Sequence, residues 1–297
     1  MTTRGIGPAD GPEPPVPSSS GRGSRALGNR AVLVSSASTV LFFAVIAVVV
    51  ALAPGSGIVA ERFFSPSHLW RSLVGSESEP SVLAAFILNV EMFVVSEVLI
   101  LILALVIAVV RGIPGPVFFP FRLLAVAYTD LFRGVPLILV LYMIGFGVPG
   151  LGLGFVSYLP DVTYGVIALV LVYSAYVAEV YRAGIESVHA SQNAAARSLG
   201  LSRWQSLRFV VLPQAIRRVI PPLLNDFIGL QKDTALVSVL GSIEAARAAQ
   251  IYSASQFNYA SYVVAALLFV LITIPLARFT DRLIARDKRR RQAGALA

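Results

Sequence analysis

The stretch 219–243 places charged and amide side chains inside an otherwise apolar segment. These side chains are Asn225, Asp226, Lys232 and Asp233. A charge at the middle of a bilayer costs about 2.5–3.5 kcal/mol, so such residues are expected to face the interior of a helix bundle. On a helix, Asn225, Gly229 and Lys232 fall on one face. The pattern predicts either a polar pathway for a charged small molecule or an interhelical ion pair that locks the bundle.

Three further polar side chains lie in apolar surroundings. Tyr176 and Glu179 are three residues apart in the sequence and therefore share a helix face. Glu97 falls in the middle of another apolar run. Each of these groups could contact the ammonium or guanidinium of a cationic amino acid, or could form a hydrogen bond between helices. The candidate substrate pathway is therefore Glu97, Tyr176, Glu179, Asn225, Lys232 and Asp233.

The composition excludes several kinds of catalytic site. The chain has no cysteine and only two histidines, His68 and His189, which excludes thiolate sites and a histidine-rich metal centre. It contains no G-x-x-x-x-G-K-[ST] loop, so the chain itself is not expected to hydrolyse ATP. The sequence contains no nucleophile–base pair that would indicate a membrane enzyme. We therefore expect no catalytic residue, no metal site and no cofactor on this chain.

The elements that must position these residues are membrane-spanning helices. Of the 297 residues, 56% are hydrophobic and only 13% are charged, whereas a soluble domain carries about 25% charge. Apolar runs long enough to cross a hydrocarbon core of about 30 Å predict six spans. The spans are residues 31–53, 83–110, 123–146, 163–182, 219–243 and 261–281. The first run is longer than a signal-peptide core, which favours an uncleaved anchor. The sequence predicts an all-α integral membrane protein.

The distribution of basic residues predicts the orientation of these spans. With the N-terminus inside, the inner segments carry eighteen Arg and Lys residues and the outer segments carry three. Because positive charge accumulates on the cytoplasmic side, both termini are predicted to be cytoplasmic. Orientation also explains the net charge of +8 without a nucleic-acid partner. Residues 1–30 are predicted to be a disordered tail, 31–82 a first span with a solvated outer connection, and 286–297 a basic cytoplasmic tail.

The inner loop at 183–218 predicts two short helices joined by a glycine. The first helix ends at Gly200, a residue suited to a left-handed C-cap. Ser202 and Gln205 have the spacing of a capping box, so a second helix is predicted to start there and to stop near Pro213. A basic hairpin at the inner membrane face is explained equally well by contact with anionic lipid headgroups and by a docked cytosolic partner.

This loop resembles the EAA loop of the permease subunits of ATP-binding-cassette (ABC) importers, whose pattern is E-A-A-x3-G-x9-I-x-L-P. The positions that match at every spacing are Ala195, Ala196, Gly200, Leu212 and Pro213. Val210 takes the place of Ile, and Ala194 departs from the usual Glu. The resemblance implies that residues at about 188–215 couple the chain to an ATPase, with Gln192 and Arg197 among the coupling residues.

Three other segments resemble the polar amino acid subfamily, which includes histidine, glutamine and glutamate permeases. Residues 128–137 are similar to Y-x-x-x-F-R-G-x-P-L, residues 175–185 to A-Y-x-A-E-x-x-R-x-G-I, and residues 231–236 to L-K-D-T-S-L. In the first segment, Arg133 and Pro136 predict a turn or a broken helix at the inner end of its span. The resemblance covers about residues 83–285. It implies the five-helix core of a type I importer, preceded by one additional helix.

The resemblance implies a permease subunit that translocates a polar amino acid across the cytoplasmic membrane and is not itself an enzyme. Its partners would be a dimer of cytosolic ATPases that bind ATP and Mg²⁺, an extracytoplasmic substrate-binding protein, and a second permease subunit, identical or related. A second hypothesis is an ion-coupled secondary transporter that uses the intramembrane carboxylates. Such transporters often contain inverted repeats, and no repeated half is visible in this sequence.

Overall fold

The structure is a computed structural model that describes residues 24–294, with side chains described for residue 32 and for residues 34–286. Within this range the chain is helical, with one isolated β-bridge between Ser76 and Glu79 and no strand. The predicted all-α fold is confirmed. Residues 1–23 of the predicted disordered tail and residues 295–297 lie outside the described residues.

Thirteen α-helices follow one another along the described residues. They are α1 (Ser24–Leu52), α2 (Ser56–Phe64), α3 (Pro66–Val74), α4 (Val82–Gly112), α5 (Phe119–Gly134), α6 (Leu137–Tyr142), α7 (Val148–Gly150), α8 (Asp161–Glu186), α9 (Ala190–Ser198), α10 (Arg203–Ser206), α11 (Leu212–Asp233), α12 (Ala245–Gln256) and α13 (Ala260–Gly294). Two π-helical turns, Met143–Gly147 and Leu207–Val211, and two 3₁₀ turns, Gly154–Tyr158 and Thr234–Leu240, continue or connect them.

Four of the described helices are long and apolar enough to cross a membrane. The qualifying stretches are Val34–Leu52, Val82–Gly112, Asp161–Glu186 and Ala260–Arg286. A fifth span is obtained if α5 and the bent segment Leu137–Gly150 are counted together. By length and composition, the described helices therefore give at most five spans and not the predicted six. The missing one is the predicted span 219–243, which corresponds to the polar helix α11 and a 3₁₀ turn.

The predicted span 123–146 is broken in its middle and not at its inner end. Helix α5 and the segment Leu137–Gly150 meet at an angle of 108°. Val135 between them is extended, with φ −98° and ψ 131°, the conformation that a following proline imposes on its neighbour. Pro136 therefore ends α5 and allows α6 to start in a new direction.

Helix α8 lies at the centre of the bundle. It packs against α4, α5, α6 and α11. The fully buried core side chains around it include Ile100 of α4, Leu141 of α6, Leu169 of α8 and Leu230 of α11. Because close-packed interiors permit little movement of side chains, the polar residues carried by α8 are held in defined positions.

A second apolar cluster joins α3 and α12 to α4 and α13. Val82, Ala248 and Val264 belong to this cluster, and Leu69 and Leu73 of α3 pack against it. The connection 54–82 is therefore not only a solvated loop, as the sequence predicts, but contains α2 and α3. Leu69 and Leu73 are four residues apart, which gives α3 an apolar face to bury.

A buried polar junction fixes α4 to the start of α12. Asn89 is 1% exposed and donates hydrogen bonds to Glu244 Oε2 at 3.0 Å and to Thr234 Oγ1 at 3.1 Å. Its Oδ1 accepts a hydrogen bond from the backbone N–H of Ala245 at 3.0 Å. The carboxylate of Glu244 caps α12 by accepting from the first backbone N–H groups of that helix. Buried polar groups that are satisfied in this way specify one arrangement of the core.

The N-terminal helix α1 begins at Ser24, seven residues before the predicted span and inside the predicted tail. Arg25, Ala26 and Leu27 are good helix formers, which accounts for the earlier start. At the other end of the chain, α13 continues to Gly294 and thus includes most of the predicted basic tail.

Candidate functional site

The segment after α8 folds into a helical hairpin of α9 and α10. His189 caps α9, since its Nδ1 accepts a hydrogen bond from the backbone N–H of Ser191 at 3.3 Å. Gly200 follows α9 with a φ of +84°, the left-handed region that glycine enters at little cost. Ser202 Oγ accepts from the N–H of Gln205 at 3.2 Å, and Gln205 Oε1 accepts from the N–H of Ser202 at 2.8 Å. The predicted left-handed glycine and capping box are confirmed.

The second helix of the hairpin does not stop near Pro213, so that prediction is wrong. α10 continues through the π turn Leu207–Val211 into α11, and residues 203–233 form one helical run. Pro213 lies in the first turn of α11, directly after the π turn has shifted the hydrogen-bond register. At such a position the missing N–H of proline is tolerated. The hairpin therefore leads into a continuous helical run whose other end carries Asp226 and Asp233.

Most of the predicted coupling residues are exposed. The exposed ones are Gln192, Ala195, Arg197 and Gly200 on the hairpin, and Leu212 and Pro213 at the start of α11. Ala196 is only 4% exposed and contributes to packing. Ser206 Oγ donates a hydrogen bond to Asn193 Oδ1 at 2.7 Å, which ties the two helices together. Two apolar side chains are exposed on the surface of the hairpin, Leu199 at 84% and Trp204 at 67%.

Glu179 lies at the centre of an ion cluster that joins three helices. Its Oε2 accepts a hydrogen bond from Arg111 Nη1 of α4 at 2.9 Å and is 3.9 Å from Arg133 Nη1 of α5. Arg182, three residues further along α8, pairs with both Glu179 and Glu186. Predicted as a pathway residue, Glu179 instead has its carboxylate occupied by arginines and holds α4, α5 and α8 together.

Two of the sequence motifs meet next to this cluster. Tyr128 donates a hydrogen bond to the carbonyl of Leu171 at 2.8 Å and is 2.7 Å from the hydroxyl of Ser174. Tyr176 donates to the carbonyl of Arg133 at 3.2 Å. The segments 128–137 and 175–185 therefore contact each other at the break between α5 and α6.

A cavity of about 270 Å³ opens beside this junction. Residues 135–137 and Val172 form its apolar wall, and its polar wall consists of Tyr173, Tyr176, Asp226 and Asp233. Tyr173 Oη donates a hydrogen bond to Asp233 Oδ2 at 2.8 Å. Asp226 Oδ2 is buried without a hydrogen-bond partner among the described residues. Two carboxylates beside two phenol rings form a site for a positively charged group.

Gly229 allows the contact between Tyr173 and Asp233 to form. A Cβ atom at position 229 would lie 3.1 Å from Tyr173 Oη, which is tighter than ordinary van der Waals contact. The glycine therefore lets α8 and α11 approach closely at the cavity, a common use of glycine.

The predicted pathway residues do not all lie together. Tyr176 and Asp233 line the cavity, whereas Glu97 is half-buried on α4 and is not part of the cavity wall. Sequence reasoning missed Tyr173 and did not select Asp226. The available signal was the seven-residue spacing of Asp226 and Asp233, which places both on one helix face.

Asn225 and Lys232 are exposed on α11, so no neighbouring helix of the same subunit covers them. The buried face of α11 near them is occupied by Leu230 and Gln231. The alternative prediction, an interhelical ion pair of Lys232 or Asp233, is not seen among the described residues. In the same part of the chain, no group of three His, Asp or Glu side chains is placed to hold a metal ion.

The hairpin, the ion cluster and the cavity all lie within a region that matches a known family. A family model described as "Binding-protein-dependent transport system inner membrane component" matches residues 81–290. The chain belongs to this family. Its matched region begins just before α4, so α1, α2 and α3 precede it. The resemblance to ABC importer permeases is confirmed.

Individual members of this permease family are also similar. The probable glutamine ABC transporter permease protein GlnM of Bacillus subtilis (strain 168) is 38% identical over 162 residues, which are 54% of this chain and 73% of that protein. The arginine transport system permease protein ArtQ of the same organism is 33% identical over 207 residues, which are 70% and 92% of the two chains. A crystal structure of an amino acid ABC transporter with histidines matches with a TM-score of 0.63 and 32% identity, and covers 69% of this chain and 93% of that chain.

Proposed function

We propose that this permease carries a polar amino acid across the cell membrane as the membrane subunit of an ABC importer. The similarity to a glutamine permease protein and to an arginine permease protein supports this substrate class. The observation that carries the proposal is the α9–α10 hairpin, which presents exposed residues at one end of the helical run 203–233. A separate ATPase would bind this hairpin and drive transport.

The hairpin has the surface of a protein-docking element. Leu199 and Trp204 are exposed apolar side chains of the kind that anchor protein interfaces. They lie beside Arg197, Arg203 and Arg208, whose positive charges add to the surface. Residues 203–233 form one helical run, although it includes the π turn Leu207–Val211 and the interior prolines Pro221 and Pro222. Because the run is continuous, a displacement of the hairpin by the ATPase would be transmitted towards the cavity.

The cavity supplies groups that fit the ammonium group of an amino acid. The free oxygen of Asp226 and the carboxylate of Asp233 would accept its N–H groups, and the rings of Tyr173 and Tyr176 would flank it. A volume of about 270 Å³ is slightly below the usual range for ligand pockets. The site is therefore proposed to be completed by a second subunit.

The exposed polar face of α11 supports a second permease subunit, identical or related. Asn225 and Lys232 would face lipid in a single subunit, and a charged group in lipid is costly. A partner subunit that covers this face would place Lys232 beside the pathway, where its ammonium could bind the carboxylate of the substrate. The remaining proposed partners are an extracytoplasmic binding protein and the lipid membrane. ATP and Mg²⁺ are proposed to be bound by the ATPases alone, and both termini are proposed to be cytoplasmic.

The two tryptophans of this chain provide a matched test of the ATPase coupling. Trp204 on the hairpin and Trp70 on α3 are both 67% exposed, so Trp204→Ala and Trp70→Ala remove equal exposed side chains at different places. Each variant is co-expressed with the ATPase of the transporter, and co-purification and ATP-driven amino acid uptake are measured in proteoliposomes. Trp204→Ala is expected to lose both, and Trp70→Ala to retain both. Normal coupling in Trp204→Ala, or uptake driven by an ion gradient without ATP, would contradict the proposal.

A further inference from the structure

A second, larger cavity of about 640 Å³ lies at the hairpin end of the bundle, outside the proposed pathway. The last turns of α4, the first turns of α5 and the last turns of α8 enclose it. Its wall contains Arg111, Arg122 and Arg182 against a single acidic residue, Glu186. The rest of the wall is apolar and includes Leu123 and Val126. The cavity therefore combines a cationic part with an apolar part.

Arg122 carries the positive charge that the protein itself does not neutralise. Arg111 and Arg182 pair with carboxylates of α8. Arg122 donates one hydrogen bond to the carbonyl of Ile113 at 2.9 Å, and its guanidinium lies 5.9 Å from the centre of the Phe119 ring. Among the described residues it has no carboxylate within ion-pair distance. A guanidinium has five N–H donors, so most of those on Arg122 are available to a ligand.

The surroundings of the cavity indicate that its ligand comes from the bilayer. Val117, Phe118 and Phe121 precede or begin α5 and are 77%, 42% and 58% exposed. Exposed Phe and aliphatic side chains of this kind bury into the boundary between headgroups and acyl chains when a helix lies at a membrane surface. The cavity lies at the ends of α4 and α8, both of which are long and apolar enough to span a membrane. It is thus at the depth of lipid headgroups.

We propose that this cavity binds one anionic glycerophospholipid from the leaflet on the hairpin side. The phosphate would lie at Arg122, and an acyl chain would follow Leu123 and Val126. Basic pockets between transmembrane helices are known to hold anionic headgroups, and the apolar part of the wall matches an acyl chain, which a small free anion lacks. Because the cavity adjoins the Arg111–Glu179 pair, a bound lipid would connect α5 to the junction of α4 and α8. The site needs membrane insertion but not the proposed ATPase coupling.

The test measures lipid retained by the purified full-length permease in detergent. Phosphatidylglycerol and phosphatidylcholine are added in turn, and bound lipid is counted by native mass spectrometry. The protein is expected to retain a single phosphatidylglycerol in preference to phosphatidylcholine. Arg122→Gln is expected to weaken this binding about fivefold, the effect of one basic residue near an anionic headgroup. Arg217→Gln, a change of an exposed arginine of α11 outside the cavity, is the matched control and is expected to change nothing.

A second variant separates loss of the site from loss of folding. Val126→Trp fills the apolar part of the cavity and keeps every charge, so it is expected to exclude phosphatidylglycerol while Arg122→Lys retains it. Equal retention of the two lipids, or unchanged binding in both Arg122→Gln and Val126→Trp, would overturn the proposal. Displacement of phosphatidylglycerol by inorganic phosphate would also overturn it, since that result indicates a site for a free anion.

Discussion

Arg111 of α4 donates a 2.9 Å hydrogen bond to Glu179 of α8, and this contact joins the two most extensively packed helices of the bundle. The side chains of Arg111 and Glu179 are only 14% and 21% exposed. Glu179 also pairs with Arg182 and lies near Arg133, so one carboxylate separates three guanidinium groups. Its removal leaves like charges close together in a partly desolvated place, which is the costly way to break an ion pair.

Replacement of Glu179 should therefore destabilise the fold far more than replacement of its exposed neighbour. Glu179→Gln is expected to lower the free energy of unfolding by about 2 kcal/mol, somewhat less than removing one partner of a fully buried pair, because Glu179 is 21% exposed. Glu186→Gln is the matched control, because Glu186 also pairs with Arg182 but is 61% exposed, and its loss should cost at most about 1 kcal/mol. Chemical unfolding of both variants in detergent provides the measurement. Equal losses in the two variants would show that the cluster does not depend on Glu179.

Substitutions at Gly200, the glycine of the hairpin, test the effect of backbone conformation alone. Gly200 has a φ of +84°, and a Cβ atom there would meet no other atom within 4 Å. Valine at this position would be strained because it rarely adopts a positive φ, and not because its side chain would clash. Gly200→Asn is tolerated, since asparagine enters the left-handed region more readily. We expect Gly200→Val to insert normally in the membrane but to lose ATPase co-purification, and Gly200→Asn to retain most of it. If the two variants behave alike, the turn does not position the docking surface.

The long apolar helices could be predicted from the sequence because their boundaries follow from composition. The predicted spans 83–110 and 163–182 correspond to Val82–Gly112 and Asp161–Glu186. The hairpin was also predictable, since Gly200 and the Ser202–Gln205 capping box are local signals that act within a few residues. Such features depend on the chain near them and not on distant partners.

Which side of α11 packs against neighbouring helices could not be predicted in the same way. Its polar residues lie on more than one face, so helical periodicity alone does not show which of them a neighbour covers. The structure directs Asp226 and Asp233 towards the cavity and leaves Lys232 exposed. The decisive partner is Tyr173, which comes from α8, sixty residues before Asp233. A contact between residues so far apart in the sequence has no local signal.

The bond from Tyr173 to Asp233 predicts a specific effect on substrate affinity. Tyr173→Phe removes the hydroxyl that donates to Asp233 at 2.8 Å but keeps the ring in the cavity wall. Hydrogen bonds to charged groups contribute about 1.5–3 kcal/mol, so the KM of uptake is expected to rise about tenfold while the amount of protein in the membrane stays the same. Tyr181→Phe is the control, since Tyr181 is also on α8 but is not part of the cavity wall. An unchanged KM in Tyr173→Phe would indicate that Asp233 does not contribute to the substrate pathway.

The exposed face of α11 can be examined with single cysteines, because the chain contains none. Lys232 of α11 and Leu271 of α13 are both exposed in the single subunit. If a second subunit encloses an aqueous pathway along α11, Lys232→Cys should react with a charged, membrane-impermeant maleimide, and the transported amino acid should slow the reaction. Leu271→Cys should remain unlabelled, since an apolar position on a spanning helix faces lipid. The measurement is the labelled fraction in intact membranes with and without amino acid. A Lys232→Cys variant as unreactive as Leu271→Cys would place this face of α11 in lipid or in a dry helix contact, and the proposed pathway between two subunits would then be wrong.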